Sequence, residues 1–125
     1  MNEIPDAIKR AKKEKSAEAV IDISLPTAAN RIYIAGENLA SAALLATGGS
    51  APRDHGKLWN GVQKLSMAGK LKRDYRRMLE TSYRLRIKGD YGRDSDSIVL
   101  LSRDVIERQI KELKEFLSEV RDMVK

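Results

Sequence analysis

The sequence contains no cysteine and only one histidine, His55, among its 125 residues. Disulfide bonds and thiolate metal sites are therefore excluded, and one imidazole cannot form a histidine cluster within one chain. Aromatic residues make up 5% of the chain and there are three prolines, while hydrophobic residues reach 42% and charged residues 34%. That composition favours an all-α fold over a β-sandwich or a disordered chain. We expect no metal ion and no cofactor.

Long apolar runs are also lacking. No stretch approaches the ~20 apolar residues that a membrane span requires, and the segment "MNEIPDAIKRAKKEK" has no apolar core of the kind found in signal peptides. We therefore expect a cytoplasmic protein with no membrane association. The length suits one domain that occupies residues 1–125.

Positive charge is concentrated in the middle of the chain. Residues 53–93 contain twelve Lys and Arg against four Asp and Glu, a net charge of +8, whereas residues 1–52 are neutral and residues 94–125 carry −2. A local basic surface attracts RNA or nucleotides, and it would attract an acidic protein partner equally well.

Apolar residues recur at helical spacing in five segments, at about 3–20, 27–46, 54–68, 71–89 and 102–124. Thr27 and Ser102 stand where N-caps are expected, and Gly69 ends the third segment. The second helix has a stripe of mostly small residues that would let another helix approach closely. Because the third helix is the shorter one, we predict an antiparallel up-and-down four-helix bundle with one additional shorter helix.

One stretch, "SYRLRIKGDYG" at 82–92, is dense in charge. Arg84, Lys88 and Tyr91 are spaced to share one side of a helix, and Arg86 and Asp90 share another. Two interpretations stay open on these residues alone: an ordinary solvated helix end, or a cluster that holds a phosphate-bearing partner.

Three motifs together carry a family resemblance. The run "RIKGDYG" at 86–92 is similar to an arginine to Asp-Tyr-Gly signature, and "NRIYIAGENLASAALL" at 30–45 is similar to an "RAYYA" helix, with Arg31, Tyr33 and Ala35 at the arginine, tyrosine and alanine positions and Asn38 at a polar position. "HGKL" at 55–58 resembles a His-Gly-like helix start, and residues 102–125 resemble a long closing helix. Over nearly its whole length the chain resembles one branch of the HEPN superfamily, the "higher eukaryotes and prokaryotes nucleotide-binding" domains.

The resemblance implies a helical bundle that forms a symmetric homodimer and binds a nucleotide or RNA. It also implies a possible minimal nucleotidyltransferase partner, in a toxin–antitoxin-like pair. The nucleotide- or RNA-binding candidates are Arg84, Lys88, Arg31, Asn38 and His55, and the candidate catalytic residues are Arg86, Asp90 and Tyr91. In the toxin branches a tyrosine at the position of Tyr91 resembles the target to which the partner attaches nucleotides.

The histidine used by ribonuclease branches of that superfamily is absent here. Counted from Arg84, its position is occupied by Gly89, and no histidine follows Arg86. Glycine cannot transfer a proton, so we expect binding without cleavage. The alternatives are a non-catalytic interaction module that docks an acidic partner, and an active metal-independent ribonuclease. Arg31, Glu37 and Asn38 would otherwise form a polar network between helices, and Trp59 and Tyr75 would otherwise pack in the core.

Overall fold

The computed structural model describes residues 24–91 and 102–124, of which residues 88–91 are described by their backbone alone. These ranges form four α-helices and no strand: α1 (Leu25–Ala46), α2 (His55–Met67), α3 (Arg76–Tyr91) and α4 (Arg103–Met123). The all-α prediction is confirmed for this part of the chain. The predicted helix at 3–20 and the predicted loop at 92–97 lie outside the described residues, so the complete five-helix bundle stays a prediction.

Polar caps define the starts of three helices. The Ser24 hydroxyl accepts a hydrogen bond from the Thr27 amide at 3.2 Å and begins α1, and Pro26 occupies the first turn. The predicted cap at Thr27 is therefore wrong by three residues, because Thr27 supplies the donor and not the acceptor. Asp54 caps α2 and Ser102 caps α4, the latter as predicted.

Helix α3 begins later than its apolar pattern predicts. The helix starts at Arg76, whose amide donates to the Asp74 carboxylate at 3.0 Å, and residues 71–75 form a non-helical connection. Leu71 and Tyr75 are nevertheless buried, as the pattern predicted. The apolar pattern thus predicted the burial of these two side chains correctly but wrongly predicted a helical backbone over residues 71–75. Contacts to other parts of the fold hold this segment in a non-helical conformation.

Those contacts attach the α2–α3 connection to α4. The Lys72 amide and the Tyr75 hydroxyl both donate to the Glu119 carboxylate, and Arg73 pairs with Glu115 at 2.5 Å. The Ser66 hydroxyl at the end of α2 donates to the Arg73 carbonyl at 2.7 Å. The second half of α4 therefore fixes the path of the chain from α2 into α3.

Helix α1 lies at the centre of the described helices and packs against the other three. Six of the seven residues in its predicted stripe are buried: Ala28, Ile32, Ala35, Gly36, Leu39 and Ala43. The seventh, Ala46, is only partly buried because it is the last residue of the helix. A Cβ atom on Gly36 would lie 3.1 Å from a Leu79 methyl group of α3. The absence of a side chain at Gly36 thus permits the close approach of α1 and α3.

A buried polar contact joins α3 to α4. The Gln109 amide donates to the Ser82 hydroxyl at 2.9 Å and to the Met78 carbonyl at 3.0 Å, and both side chains are almost fully buried. This contact fixes the rotation of α3 about its own axis. Because Tyr83 and Arg86 follow Ser82 on the same helix, their direction is fixed as well.

Helix α2 lies across α1 and α3 and is held by a small apolar contact and several polar ones. Leu58 and Val62 are buried against the core. Arg76 of α3 donates to the side-chain oxygens of Asn60 and Gln63, both at 2.7 Å. None of the four described helices is both long enough and apolar enough to cross a membrane.

Candidate functional site

Seven side chains meet where α1, α2 and α3 come together, and we call them the Glu37 cluster. On each of the three helices, neighbouring members of the cluster are three or four residues apart and therefore share one side of the helix. The members are Asn30, Tyr33 and Glu37 on α1, His55 and Trp59 on α2, and Tyr83 and Arg86 on α3.

Glu37 is at the centre of this cluster. One of its carboxylate oxygens lies 2.8 Å from Nδ1 of His55, and the other accepts a hydrogen bond from the Trp59 indole at 3.3 Å. The Glu37 side chain is 17% exposed, whereas the His55 side chain is 44% exposed. The carboxylate is therefore mostly inside the protein, while the imidazole that it holds reaches solvent.

The carboxylate also assigns the tautomer of that imidazole. An ionised carboxylate only accepts hydrogen bonds, so Nδ1 of His55 must carry the proton in this contact. In the neutral ring, the lone pair is then on the second nitrogen, Nε2, and is directed away from Glu37. Glu37 thus determines which nitrogen His55 presents to a ligand.

Tyr33 supplies a neutral hydroxyl beside the imidazole. Its oxygen lies 3.1 Å from Nδ1 and 3.4 Å from Nε2 of His55. Burial raises the pKa of Tyr33 well above its usual range, and the negative charge of Glu37 and a hydrogen bond to that carboxylate raise it further. The hydroxyl consequently keeps its proton at any physiological pH and remains a donor.

Arg86 brings a cation to the same tyrosine. Its guanidinium carbon is 4.8 Å from the centre of the Tyr33 ring, within the range of a cation–π contact, and its Nε donates to the Asn30 side chain at 3.2 Å. These two contacts orient the planar guanidinium, whose N–H groups form a fork that suits phosphate oxygens.

Aromatic rings form one wall of the cluster. The centre of the Tyr83 ring lies 5.0 Å from that of His55 and 5.6 Å from that of Trp59. Trp59 and Tyr83 are only partly buried, so each ring keeps some surface in solvent. Such rings can stack on a nucleobase. Tyr75, the other aromatic residue considered for stacking, instead packs against Phe116 in the core, with ring centres 4.4 Å apart.

The structure brings two of the sequence-predicted site residues, Arg86 and His55, into this cluster. Arg84 is exposed, and the Asn38 side chain donates to the Ile34 carbonyl of its own helix at 2.9 Å. Arg31 is partly buried on α1. The backbone of Lys88, Asp90 and Tyr91 is helical, but their side chains lie outside the described part, so their predicted roles stay predictions.

Sequence reasoning did not assign Tyr33, Glu37, Trp59 and Tyr83 to one site. The available signal was the repeated spacing of polar and aromatic residues on three helices: Tyr33 with Glu37, His55 with Trp59, and Tyr83 with Arg86. Each pair lies on one side of its helix. Only the packing of the helices shows that the three pairs face one another.

A separate concavity of about 630 Å³ lies between α3 and α4 and shares no residue with the Glu37 cluster. Its charged lining residues are Arg73, Arg77, Arg108 and Lys111 against Asp74, Glu112 and Glu115. Since the two signs nearly balance, this groove lacks the single-sign charge that concentrates a polyanion. Within the described ranges, no three potential metal ligands come together.

The described helices form an all-α domain. At the junction of α1, α2 and α3 it carries the Arg86 cation, the His55 imidazole and the partly exposed rings of Trp59 and Tyr83. Residues 6–123 match the family described as the HEPN domain. Because this match covers almost the entire chain, the protein belongs to the HEPN domain family. A search of curated proteins returned no match.

Proposed function

We propose that the protein binds a nucleotide or RNA at the Glu37 cluster. The observation that carries the proposal is the placement of Arg86: its guanidinium is oriented by Tyr33 and Asn30, and the other neighbour of Tyr33 is the solvent-reaching imidazole of His55. A phosphate group is the ligand that suits this fork of donors. Membership of the HEPN family supports a nucleotide- or RNA-related function.

The neighbouring rings suit the other parts of a nucleotide. A base would stack on the partly exposed surfaces of Trp59 and Tyr83, while its phosphate contacts Arg86. The exposed Arg84 and, further along α3, Lys88 would add charge for the next phosphates of a strand. Asp90 and Tyr91 would lie at the end of that path. The net charge of +8 over residues 53–93 supports the attraction of a polyanion to this part of the chain.

The assembly that we propose follows the family resemblance. The chain would form a homodimer and would work beside a minimal nucleotidyltransferase in a toxin–antitoxin-like pair. Arg31 and Asn38, on the side of α1 that includes the exposed Ile34, would contribute to binding from that surface. The sequence position that would carry the usual catalytic histidine is Gly89, so binding without cleavage is the function that we favour.

The proposal is tested by measuring the affinity for a fluorescent single-stranded RNA by anisotropy at several salt concentrations. Arg86→Ala should weaken binding about tenfold or more and reduce the salt slope by about one, because one charged phosphate contact is lost. Arg121→Ala is the matched control, since it removes an exposed arginine from the last turn of α4.

Equal affinity of the Arg86→Ala and Arg121→Ala variants would overturn the proposal. Absence of RNA binding together with tight binding to an acidic protein would instead establish the interaction-module alternative. The double variant with Arg84→Ala and Arg86→Ala extends the test to the exposed part of α3, where a further reduction in the salt slope is expected.

A further inference from the structure

We propose that His55 selects ribose over deoxyribose and that Glu37 is the positioning residue that makes this selection possible. The inference rests on the proposed binding function and adds a substrate class to it: strands or nucleotides that carry a 2′-hydroxyl group. Three observations carry it, namely the hydrogen bonding of the imidazole, its exposure and its position relative to Arg86.

The hydrogen bonding leaves one imidazole nitrogen for a ligand. Glu37 accepts the Nδ1 proton of His55 at 2.8 Å, and the Tyr33 oxygen lies almost equally far from both ring nitrogens, at 3.1 and 3.4 Å. An oxygen placed between the two nitrogens is not aligned with the lone pair of Nε2. Neither Glu37 nor Tyr33 is therefore aligned with Nε2 in the plane of the ring.

The exposure of the His55 side chain allows a ligand to approach the imidazole. The His55 side chain is 44% exposed, while the carboxylate that orients it is 17% exposed. The mostly buried carboxylate of Glu37 thus holds the imidazole of His55 in place at the surface. An imidazole without such a partner would exchange its tautomers and rotate, whereas this one presents a fixed nitrogen.

The position relative to Arg86 suits a sugar. Tyr33 separates the two groups: its ring centre is 4.8 Å from the guanidinium carbon of Arg86 and 5.9 Å from the ring centre of His55. Because both groups contact the same tyrosine, one nucleotide can place its phosphate at Arg86 and its sugar at His55. The base would then meet the rings of Tyr83 and Trp59, which lie next to His55.

A 2′-hydroxyl group matches Nε2 chemically. The hydroxyl both donates and accepts, and it is the group by which a protein distinguishes RNA from DNA. A neutral Nε2 accepts the hydroxyl proton, and a protonated Nε2 donates to the hydroxyl oxygen. Deoxyribose offers neither contact, and it would leave this nitrogen facing a C–H group.

The experiment compares the affinities of labelled oligo(U) and oligo(dU), which differ only in the 2′-hydroxyl, at one pH and one salt concentration. The wild-type chain should bind the ribose strand about fivefold more tightly, the effect of one net hydrogen bond. Glu37→Ala and His55→Ala should each bring this ratio close to one. Glu107→Ala is the control, because it removes an exposed carboxylate from α4 and raises the net charge equally.

A second measurement reports on positioning alone. His55 is the only histidine in the chain, so the ¹⁵N NMR signals of its imidazole need no assignment in untagged protein. In spectra of the neutral imidazole, the wild-type chain should show its single ring proton on Nδ1, and Glu37→Ala should abolish that preference. If Glu37→Ala does not fold, as judged by circular dichroism, the His55→Ala ratio decides the outcome.

The possible failures are distinguishable. If wild type binds both strands equally and Arg86→Ala weakens both, His55 does not select ribose although the proposed binding site stands. A ribose preference that persists in His55→Ala would likewise overturn the inference. If neither strand binds, both the inference and the proposed function are wrong.

Discussion

The buried contact between Gln109 and Ser82 permits a sharp test of how α3 is fixed. In Gln109→Leu the new side chain is similar in size, but the Ser82 hydroxyl, which is 1% exposed, loses its donor. In Ser82→Ala the Gln109 amide loses one of its two acceptors and keeps the Met78 carbonyl. Each change should lower the free energy of unfolding by about 1–3 kcal/mol, the range for a buried polar group that loses its partner.

The double variant distinguishes this reasoning from a simple loss of packing. In the double variant neither Ser82 nor Gln109 is left without the other, and the Met78 carbonyl loses its donor in Gln109→Leu and in the double variant alike. The double change should therefore cost about 1 kcal/mol less than the sum of the two single changes. Urea denaturation followed by circular dichroism measures all four free energies, provided that the slope with urea stays constant. Additivity within about 0.5 kcal/mol would refute the proposed role of the contact.

Three further predictions concern pH, assembly and chemistry. Burial and nearby carboxylates raise the pKa of Tyr33 and Tyr75, so the folded chain keeps protons that the unfolded chain loses above about pH 10. The free energy of unfolding should therefore fall as the pH rises beyond that value. The variant Tyr75→Phe should show a smaller decrease. Light scattering at micromolar concentration should give about twice the chain mass of 14.0 kDa, and a monomeric mass would contradict the homodimer. The pure protein should cleave little or no RNA in EDTA, and strong cleavage that Arg86→Ala abolishes would show that another residue transfers the proton.

Helix positions and burial were predictable from the sequence, whereas helix boundaries were less so. The apolar spacing predicted that Leu71 and Tyr75 are buried, but it extended α3 over them, because a periodic pattern does not show the side-chain acceptor at Asp74 or the contacts to Glu119. The small-residue stripe on α1 was predicted correctly except at Ala46, because close packing of helices requires small side chains that can be recognised in the sequence.

The candidate site was predictable only in its parts. Arg86 and His55 were singled out by motif and by residue type, and both lie in the Glu37 cluster. Glu37 appeared in the sequence as one of several polar residues on α1, grouped with Arg31 and Asn38, with no local sign of its partners on α2. Its contacts to His55 and Trp59 span 18 and 22 residues of sequence and depend on how α2 lies across α1. Such contacts depend on how the helices pack against one another, and a short sequence motif does not predict that packing.

The attachment of the α2–α3 connection to α4 has a consequence for the order of folding during synthesis. Lys72, Arg73 and Tyr75 have their partners at Glu115 and Glu119, more than forty residues later in the chain. A ribosome releases the chain from its amino terminus, so helices α1 to α3 emerge before the residues that fix their connection. The geometry that sets His55 and Trp59 against Tyr83 and Arg86 is therefore completed only when the last helix has been made. A chain that ends before Glu115 would contain every residue of the Glu37 cluster and still lack these contacts.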